Sequence, residues 1–290
     1  MSDAYLILCH HLPWQVNALS RYVSSGGHRV FVHVDSQSRI TPEIEQGESV
    51  QVLQHPATVQ WGGWGMVEAT LKLMAAAVDS GRRFRYVHLL SGQCLPCMPL
   101  SRLDAFLDSC AREERQIIEC LPLPLPRWGR DGGLSRVGTW YPRCMVSKYD
   151  ASHRYFWWYT NKWIRLGLRR PGYYFFRPFY GGAQWWSLTG ECVERIVNFS
   201  NSHPFFRYFF HHTFCSDELY IQTCLARVGF LPHCTGDNMR FLLWQRTNDQ
   251  SPRDLLPGDW PAARNSGRLF ARKFTLSPKQ CDAYFASLGR

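Results

Sequence analysis

Short apolar runs alternate with amphipathic stretches at the start of the chain. Residues 5–9 (YLILC) and 29–34 (RVFVHV) are apolar runs bounded by polar residues, which is typical of buried strands. Residues 12–22, between them, have the spacing of a helix. Strand, helix and strand within about thirty residues form a βαβ unit, so the pattern predicts a parallel sheet with helices on both faces.

The same alternation continues to about residue 110. We predict a third strand at 50–53, a helix after the glycine-rich turn at 62–65, a fourth strand at 86–90 (YVHLL) and a helix at 101–110. The loop SGQCLPCMPL follows the fourth strand. Asp35 and this loop therefore lie at the carboxyl edge of the predicted sheet, where such sheets bind ligands.

Regular periodicity weakens in the second half of the chain. We predict a strand at 116–121, an irregular excursion at 122–154, a strand at 241–244 and loop and turns at 251–267. Residues 269–274 (LFARKF) form a short basic segment before the last helix. We expect one domain over 1–290, with a nucleotide-sugar half (1–121), an irregular insertion (122–179) and a catalytic and acceptor half (180–290).

Composition is that of a globular chain with an excess of positive charge. Hydrophobic residues make up 45% and charged residues 19%, and the net charge is +10 with a pI near 9.2. Nucleic acid, an anionic membrane face and a nucleotide diphosphate are all partners that such a charge favours. The aromatic share of 15% fits carbohydrate or base stacking, and equally fits a core rich in aromatic residues.

Cysteine usage and the N-terminal sequence predict a reducing compartment. The eleven cysteines are an odd count spread over the chain, and the first residues lack the basic and apolar regions of a secretory signal. No window approaches the roughly 18 apolar residues of a membrane span. We expect a cytoplasmic location, with any membrane contact at the inner face and through the basic aromatic segment 155–177.

Several classes of site are excluded by their missing motifs. The chain lacks GxGxxG, GxxxxGK[ST], GxSxG and D-x-D, and its one CxxC pair, Cys94 and Cys97, has no second pair at zinc spacing. We therefore expect no metal and no cofactor. A bound diphosphate would be neutralised by Arg253, Arg268, Arg272 and Lys273, although their spacing is equally typical of a solvated surface.

An acidic pair, Asp217 and Glu218, precedes the apolar-periodic run LYIQTCL. Capping is the commonest role of Ser216 and Asp217 at such a helix start. Glu218 could instead act as a general base if aromatic residues such as Trp185 and Trp186 removed water from it.

Seven sequence blocks, in order, resemble one known family. They are AYLILCHH, VFVHVD, VQWGGWGMVEATLKLM, YVHLLSGQCLP, YGGAQWWSLT, FFHHTFCSDELYIQT and GRLFARKF. The chain thus resembles the core-2/I-branching β-1,6-N-acetylglucosaminyltransferases and the peptide O-xylosyltransferases. The resemblance implies a GT-A-like α/β fold with a mostly parallel sheet, inversion at the anomeric carbon and independence from divalent metal.

The resemblance also implies roles for individual residues. Glu218 corresponds to the general base, and Lys273 and Arg253 to the basic pair that holds the UDP diphosphate. Further positions are implied for the nucleotide sugar, namely His10, Asp35 and Arg272, and for the donor sugar and acceptor, namely Ser91, Gly92, Gln93, Gln184, Trp185, Trp186 and Asp217. Cys94 stands where many members have Asp.

These expectations define one reaction and one alternative. The reaction is transfer of N-acetylglucosamine or xylose from a UDP-sugar to a hydroxyl of a glycan or lipid-linked glycan. The alternative is a basic aromatic module that binds nucleic acid or a membrane surface without transferase activity. In the transferase reading, the partners are the donor, the acceptor and an anionic membrane, and no nucleic acid is expected.

Overall fold

The computed structural model describes residues 1–142, 153–245 and 251–288. The strands in these ranges are β1 (Ala4–Cys9), β2 (Arg29–Val34), β3 (Val50–Val52), β4 (Tyr86–Ser91), β5 (Leu95–Pro96), β6 (Leu121–Pro122), β7 (Tyr180–Gly181), β8 (Ser187–Thr189), β9 (Arg240–Leu242) and β10 (Phe270–Arg272). The helices are α1 (Pro13–Ser25), α2 (Gly65–Asp79), α3 (Leu100–Arg112), α4 (Leu134–Gly138), α5 (His153–Arg165), α6 (Gly190–Ser202), α7 (Pro204–His211), α8 (Tyr220–Arg227), α9 (Trp260–Asn265) and α10 (Pro278–Leu288).

The central sheet has the order β3-β2-β1-β4-β8. The first four strands are parallel, and β8 pairs antiparallel with β4 at one edge. In this register Tyr5 lies between Val30 on β2 and His88 on β4. The predicted α/β class with a mostly parallel central sheet is confirmed.

Alternating side chains of the central strands enter two separate cores. Leu6 and Leu89 face a core built with α2, α6, α7 and α8. Ile7 and Leu90 face a second core built with α1, α3 and α10. Because successive side chains on a strand point to opposite faces, a strand that is apolar throughout is buried between helices on both sides.

A small second sheet brings the C-terminal part of the chain to the ligand edge. β10 pairs with β9 and with β5, which lies in the loop after β4. The amide of Gln15 reinforces this contact, because its Nε2 donates to the carbonyls of Gly92 (2.7 Å) and Phe274 (3.3 Å) while its Oε1 accepts from Leu276 N (3.0 Å). The segment with Arg272 and Lys273 is thereby held beside the ends of β1 and β4.

Three secondary-structure predictions need correction. Residues 116–121 are mostly not a strand, because Gln116 and Ile117 form isolated bridges to two different partners and Ile118 N turns back to Gln116 O. Residues 251–267 include the helix α9, whose Pro261 occupies a first-turn position where no amide hydrogen is needed. The strand predicted at 241–244 begins and ends earlier, as β9.

The predicted irregular excursion at 122–154 is only partly described. Its described part contains β6 and the short helix α4, and residues 143–152 lie outside the described residues. Among the helices that the structure describes, none is long and apolar enough to cross a membrane.

Candidate active site

Glu218 ends a 3-10 turn, Ser216–Glu218, directly before α8. Cys215 begins the turn in the left-handed conformation (φ 49°), and its N–H donates to the Gly62 carbonyl at 2.8 Å. Gly182 N donates to the Glu218 carbonyl at 3.0 Å. The backbone of Glu218 is therefore positioned by the turn before α2 and by the glycine pair at 181–182.

The expected capping role of Ser216 and Asp217 is absent. The N-cap residue of the 3-10 turn is Cys215, and that of α8 is Leu219. Neither side chain accepts a capping hydrogen bond within the described residues. The acidic pair thus does not cap the N-terminus of α8, and its carboxyl groups are available for other contacts.

Arg136 forms an ion pair with Glu218 that the sequence did not indicate. Its Nη1 lies 2.5 Å from Glu218 Oε2, and the two side chains are 20% and 34% exposed. The guanidinium stacks on Trp128, 3.9 Å from the ring centroid. Burial lowers the pKa of Arg136, but the charge of Glu218, its hydrogen bond and the neighbouring Cys215 and Asp217 together outweigh burial, so the net shift is upward. The pairing places a permanent cation against the expected base.

Asp217 differs from Glu218 in its surroundings. Burial, followed by the adjacent charge of Glu218, raises the pKa of Asp217 to about 7. Within the described residues no cation lies at ion-pair distance from Asp217, whereas Glu218 is paired. Near neutral pH a substantial fraction of Asp217 is therefore protonated.

The raised pKa predicts an unusual pH dependence of stability for Asp217→Asn. Below about pH 4 Asp217 is protonated in both the folded and the unfolded state; from there to about pH 7 only the unfolded state releases the proton. The free energy of unfolding of the wild type should fall over this window. Asn removes the fall, so we expect the variant to gain about 1 to 3 kcal/mol relative to wild type between pH 4 and pH 8.

Urea denaturation across this pH range measures the effect. Asp282→Asn, at an exposed position on α10, is the matched control and should show no such gain. Parallel pH profiles for Asp217→Asn and the wild type would contradict the assignment.

The stretch from Gly182 to Trp185 joins the two chemical parts of the site. A Cβ at Gly182 would lie 1.9 Å from the Glu119 carbonyl oxygen, so only glycine fits there. Ala183 N donates to Glu119 Oε2 at 2.9 Å. Gln184 is half-buried, and its Nε2 has no hydrogen-bond partner among the described residues. The Cα atoms of Gly182 and Trp185 are at most about 11 Å apart, because they are three steps apart along the chain.

The two tryptophans of this stretch have different environments. Trp185 is half-buried and lies under the Arg272 guanidinium, 4.5 Å from its ring centroid. Trp186 is 1% exposed and belongs to the core, with its carbonyl accepting from Leu89 N at 3.0 Å. The expected acceptor platform is therefore corrected to Trp185 alone, since the Trp186 ring is closed off from any ligand.

Arg272 is a partly buried cation that forms no ion pair with a carboxylate in the described ranges. Burial lowers the pKa of its guanidinium, with the Cys94 thiol nearby. Its Nε is buried and lacks a hydrogen-bond partner, and no carboxylate in the described ranges pairs with it. Because an unpaired buried cation is costly, this position favours an anionic ligand.

The carboxyl edge of the sheet brings together Lys273, His10 and Asp35. Burial lowers the pKa of His10, the Asp35 charge opposes this shift, and the Lys273 charge adds to it. The His10 ring lies 4.2 Å from that of His11. In the described part of the chain, no carboxylate forms an ion pair with Lys273. Three of the residues expected at the nucleotide thus share one location.

Arg253 is adjacent to this group but is engaged. Its two Nη atoms contact the carboxylate oxygens of Asp259, each at 2.8 Å. The chain beside it is fixed, since Leu255 N donates to the Lys273 carbonyl at 2.7 Å. Arg253 would have to leave Asp259 to contact a diphosphate, so it is a weaker candidate for that role than Arg272.

The loop 91–94 packs against the second core, the one built with α1, α3 and α10. A Cβ at Gly92 would lie 3.0 Å from both Cys9 Cβ and Val16 Cγ2, so the backbone approaches β1 and α1 closely. Gln93 Nε2 donates to Thr275 Oγ1 at 3.0 Å, and Ser91 Oγ lies 3.2 Å from Cys94 Sγ. Cys94 is fully buried, and its thiol contacts Ser91 within the same loop.

A group with metal-ligand character lies elsewhere. Asp3, His28 and Asp104 offer ligand atoms within 4.8 Å of one another, beside the amino ends of β1 and β2. Arg85 donates to the carboxylates of both aspartates. The positive guanidinium occupies the position that a metal ion would need, so we interpret this group as a buried ion-pair network.

Comparison with known proteins gives one finding. The family model described as Core-2/I-Branching enzyme matches residues 4–259. The matched region includes Glu218, Trp185 and Arg253, and it ends before Arg272 and Lys273. The chain matches no curated protein.

Proposed function

Because this chain belongs to the core-2/I-branching enzyme family, which is a family of glycosyltransferases, we propose that it transfers a sugar from a UDP-sugar to an acceptor hydroxyl with inversion. The observation that carries this proposal is the arrangement around Gly182–Trp185. At one end of this stretch, Gly182 N donates to the backbone carbonyl of Glu218, whose carboxylate pairs with Arg136; at the other end, the unpaired guanidinium of Arg272 lies over the Trp185 ring.

Cationic side chains bind the leaving group. The diphosphate binds Arg272 and Lys273, which supply the charge that a divalent ion supplies in other glycosyltransferases. His10 and Asp35, at the ends of β1 and β2, contact the nucleoside portion. As the bond between the anomeric carbon and the UDP oxygen breaks, the growing negative charge is stabilised by these cations.

Glu218 acts on the acceptor. It accepts the proton of the acceptor hydroxyl while the oxygen attacks the anomeric carbon from the face opposite UDP. Arg136 orients the carboxylate through the short contact to Oε2 and leaves Oε1 for the incoming hydroxyl. Trp185 offers the flat apolar face on which a sugar ring stacks, and Gln184 offers an unused amide.

The substrate proposals follow the family. We propose N-acetylglucosamine or xylose as the transferred sugar, a glycan or lipid-linked glycan as the acceptor, and no metal or other cofactor. Division of the chain into a nucleotide half (1–121) and an acceptor half (180–290) fits the positions of His10 and Glu218, although Lys273 contributes to the nucleotide end from the second half.

Hydrolysis of a panel of UDP-sugars tests the proposed function. With water as a poor acceptor, we expect slow, protein-dependent release of UDP from UDP-N-acetylglucosamine or UDP-xylose. The rate should change by less than about twofold in EDTA, because cationic side chains do the work of a Lewis acid. If UDP is released from none of the donors, transferase activity is contradicted. If EDTA abolishes UDP release and manganese restores it, only metal independence is contradicted.

A further inference from the structure

Four aromatic side chains on two neighbouring segments are exposed to solvent. They are Tyr174 (72%), Phe175 (81%), Phe205 (82%) and Tyr208 (56%), and we call them the aromatic patch. Scattered exposed apolar residues are ordinary on a protein surface, but a group of large rings marks a binding surface.

The helix α7 shows that the exposure is a property of one face. Phe206, Phe209 and Phe210 follow helical spacing and are buried in the core with α6 and α8. Phe205 and Tyr208 are three residues apart and so share another face, which is exposed. The helix therefore needs only its first face for folding, and the second face has aromatic residues with no role in the core.

The loop that carries Tyr174 and Phe175 is packed firmly against the same helix. Phe176 lies 5.4 Å from Phe206 and 5.1 Å from Phe209, measured between ring centroids. The buried Arg170 donates from Nη1 to the His212 carbonyl at 2.6 Å and from Nε to the Val137 carbonyl at 2.7 Å. The patch is thus one preformed surface.

The chain around the patch is basic and lacks acidic residues. Residues 151–190 contain six Lys and Arg and no Asp or Glu. Lys162, Arg165 and Arg177 are exposed, and no carboxylate within the described residues pairs with any of them. Arg207 adds a further cation on α7. An anionic surface would complement these charges without displacing an internal ion pair.

We propose that the aromatic patch and its flanking cations bind the surface of an anionic lipid bilayer. Phe175 and Phe205, the most exposed rings, have no polar atoms and would enter the acyl boundary, while the Tyr hydroxyls stay at headgroup level. The cations contact headgroup phosphates. The sequence predicts membrane contact at 155–177, and the structure adds the exposed face of α7 with Phe205 and Tyr208. This inference does not depend on the sugar-transfer proposal.

Sedimentation with vesicles tests the proposal. We expect the full chain to partition onto vesicles of equal phosphatidylglycerol and phosphatidylcholine at least about tenfold more strongly than onto phosphatidylcholine alone. The double variant Phe175→Ser, Phe205→Ser should lower this partitioning by about tenfold or more. Arg165→Glu with Arg177→Glu should do the same and should weaken the salt dependence.

Arg102→Glu with Arg112→Glu is the matched control, because these exposed residues lie on α3, which packs on the opposite side of the sheet. It changes net charge equally and should keep most of the vesicle binding. An equal loss in this control, or no vesicle binding by the wild type, would overturn the proposal. So would a wild-type dimer that the Phe variant abolishes, or nucleic-acid binding through the same residues without vesicle binding. Circular dichroism of each variant checks that the fold is kept.

Discussion

Glu218→Gln is expected to lower the turnover number by about 100-fold or more while leaving UDP affinity within about twofold of wild type. The amide cannot take the acceptor proton, but it can still accept the hydrogen bond from Arg136, so the local structure should persist. Single-turnover transfer gives the rate, and calorimetry gives the affinity. The split between the two readouts separates a base from a residue that merely supports the fold.

A matched control exists on α6. Glu191 also pairs with an arginine, Arg195, at 2.7 Å, but it is an exposed pair at a helix start. Glu191→Gln should change turnover little. Wild-type turnover in Glu218→Gln would disprove the assignment, and loss of UDP affinity together with turnover would indicate that Glu218 acts through structure.

Arg272→Met and Lys273→Met should each weaken UDP binding by about 10- to 100-fold, because a charge-assisted contact to phosphate contributes about 1.5 to 3 kcal/mol. Met keeps most of the side-chain volume above Trp185. Affinity for uridine should change far less than affinity for UDP, since the missing contact is to the diphosphate. Calorimetry with the two ligands measures this difference.

The same segment supplies its own control. Arg268 lies two residues before β10 and pairs with Asp237, so Arg268→Met should leave UDP affinity within about twofold. Arg253→Met should have an effect between these extremes, since Arg253 is bound by Asp259. Unchanged UDP affinity in both Arg272→Met and Lys273→Met would remove the proposed diphosphate site.

The parallel sheet could be predicted because its strands are buried on both faces. Runs such as YLILC and RVFVHV are recognisable without knowledge of their partner strands. The end of each predicted strand also shows which polar residue lies at the edge of the sheet. Asp35 was predicted at the ligand edge from this pattern, the family resemblance added His10, and both residues lie near Lys273.

What the sequence could not show depends on contacts between distant residues. Arg136 lies 82 positions from Glu218, in a segment without periodicity, and its only signal is an arginine-rich composition. Trp186 is buried in the core and Trp185 is only half-buried, and two adjacent tryptophans give no sign in the sequence of which one faces the core. Arg253 and Arg272 look equivalent in sequence, but in the structure Arg253 pairs with Asp259 and Arg272 pairs with no carboxylate among the described residues.

The amide of Gln15 has a practical consequence for where this protein can be cut. The matched family region ends at residue 259, which invites a boundary there. A polypeptide shortened to that point would lose β10 and α10, the partners of β5 and α1. The Gln15 amide would keep its bond to Gly92 but lose those to Phe274 and Leu276, so its Oε1 would be without a partner inside the first βαβ unit. It would also discard Arg272 and Lys273. The last thirty residues are thus a structural part of the proposed nucleotide site, although they are distant from its other residues in sequence.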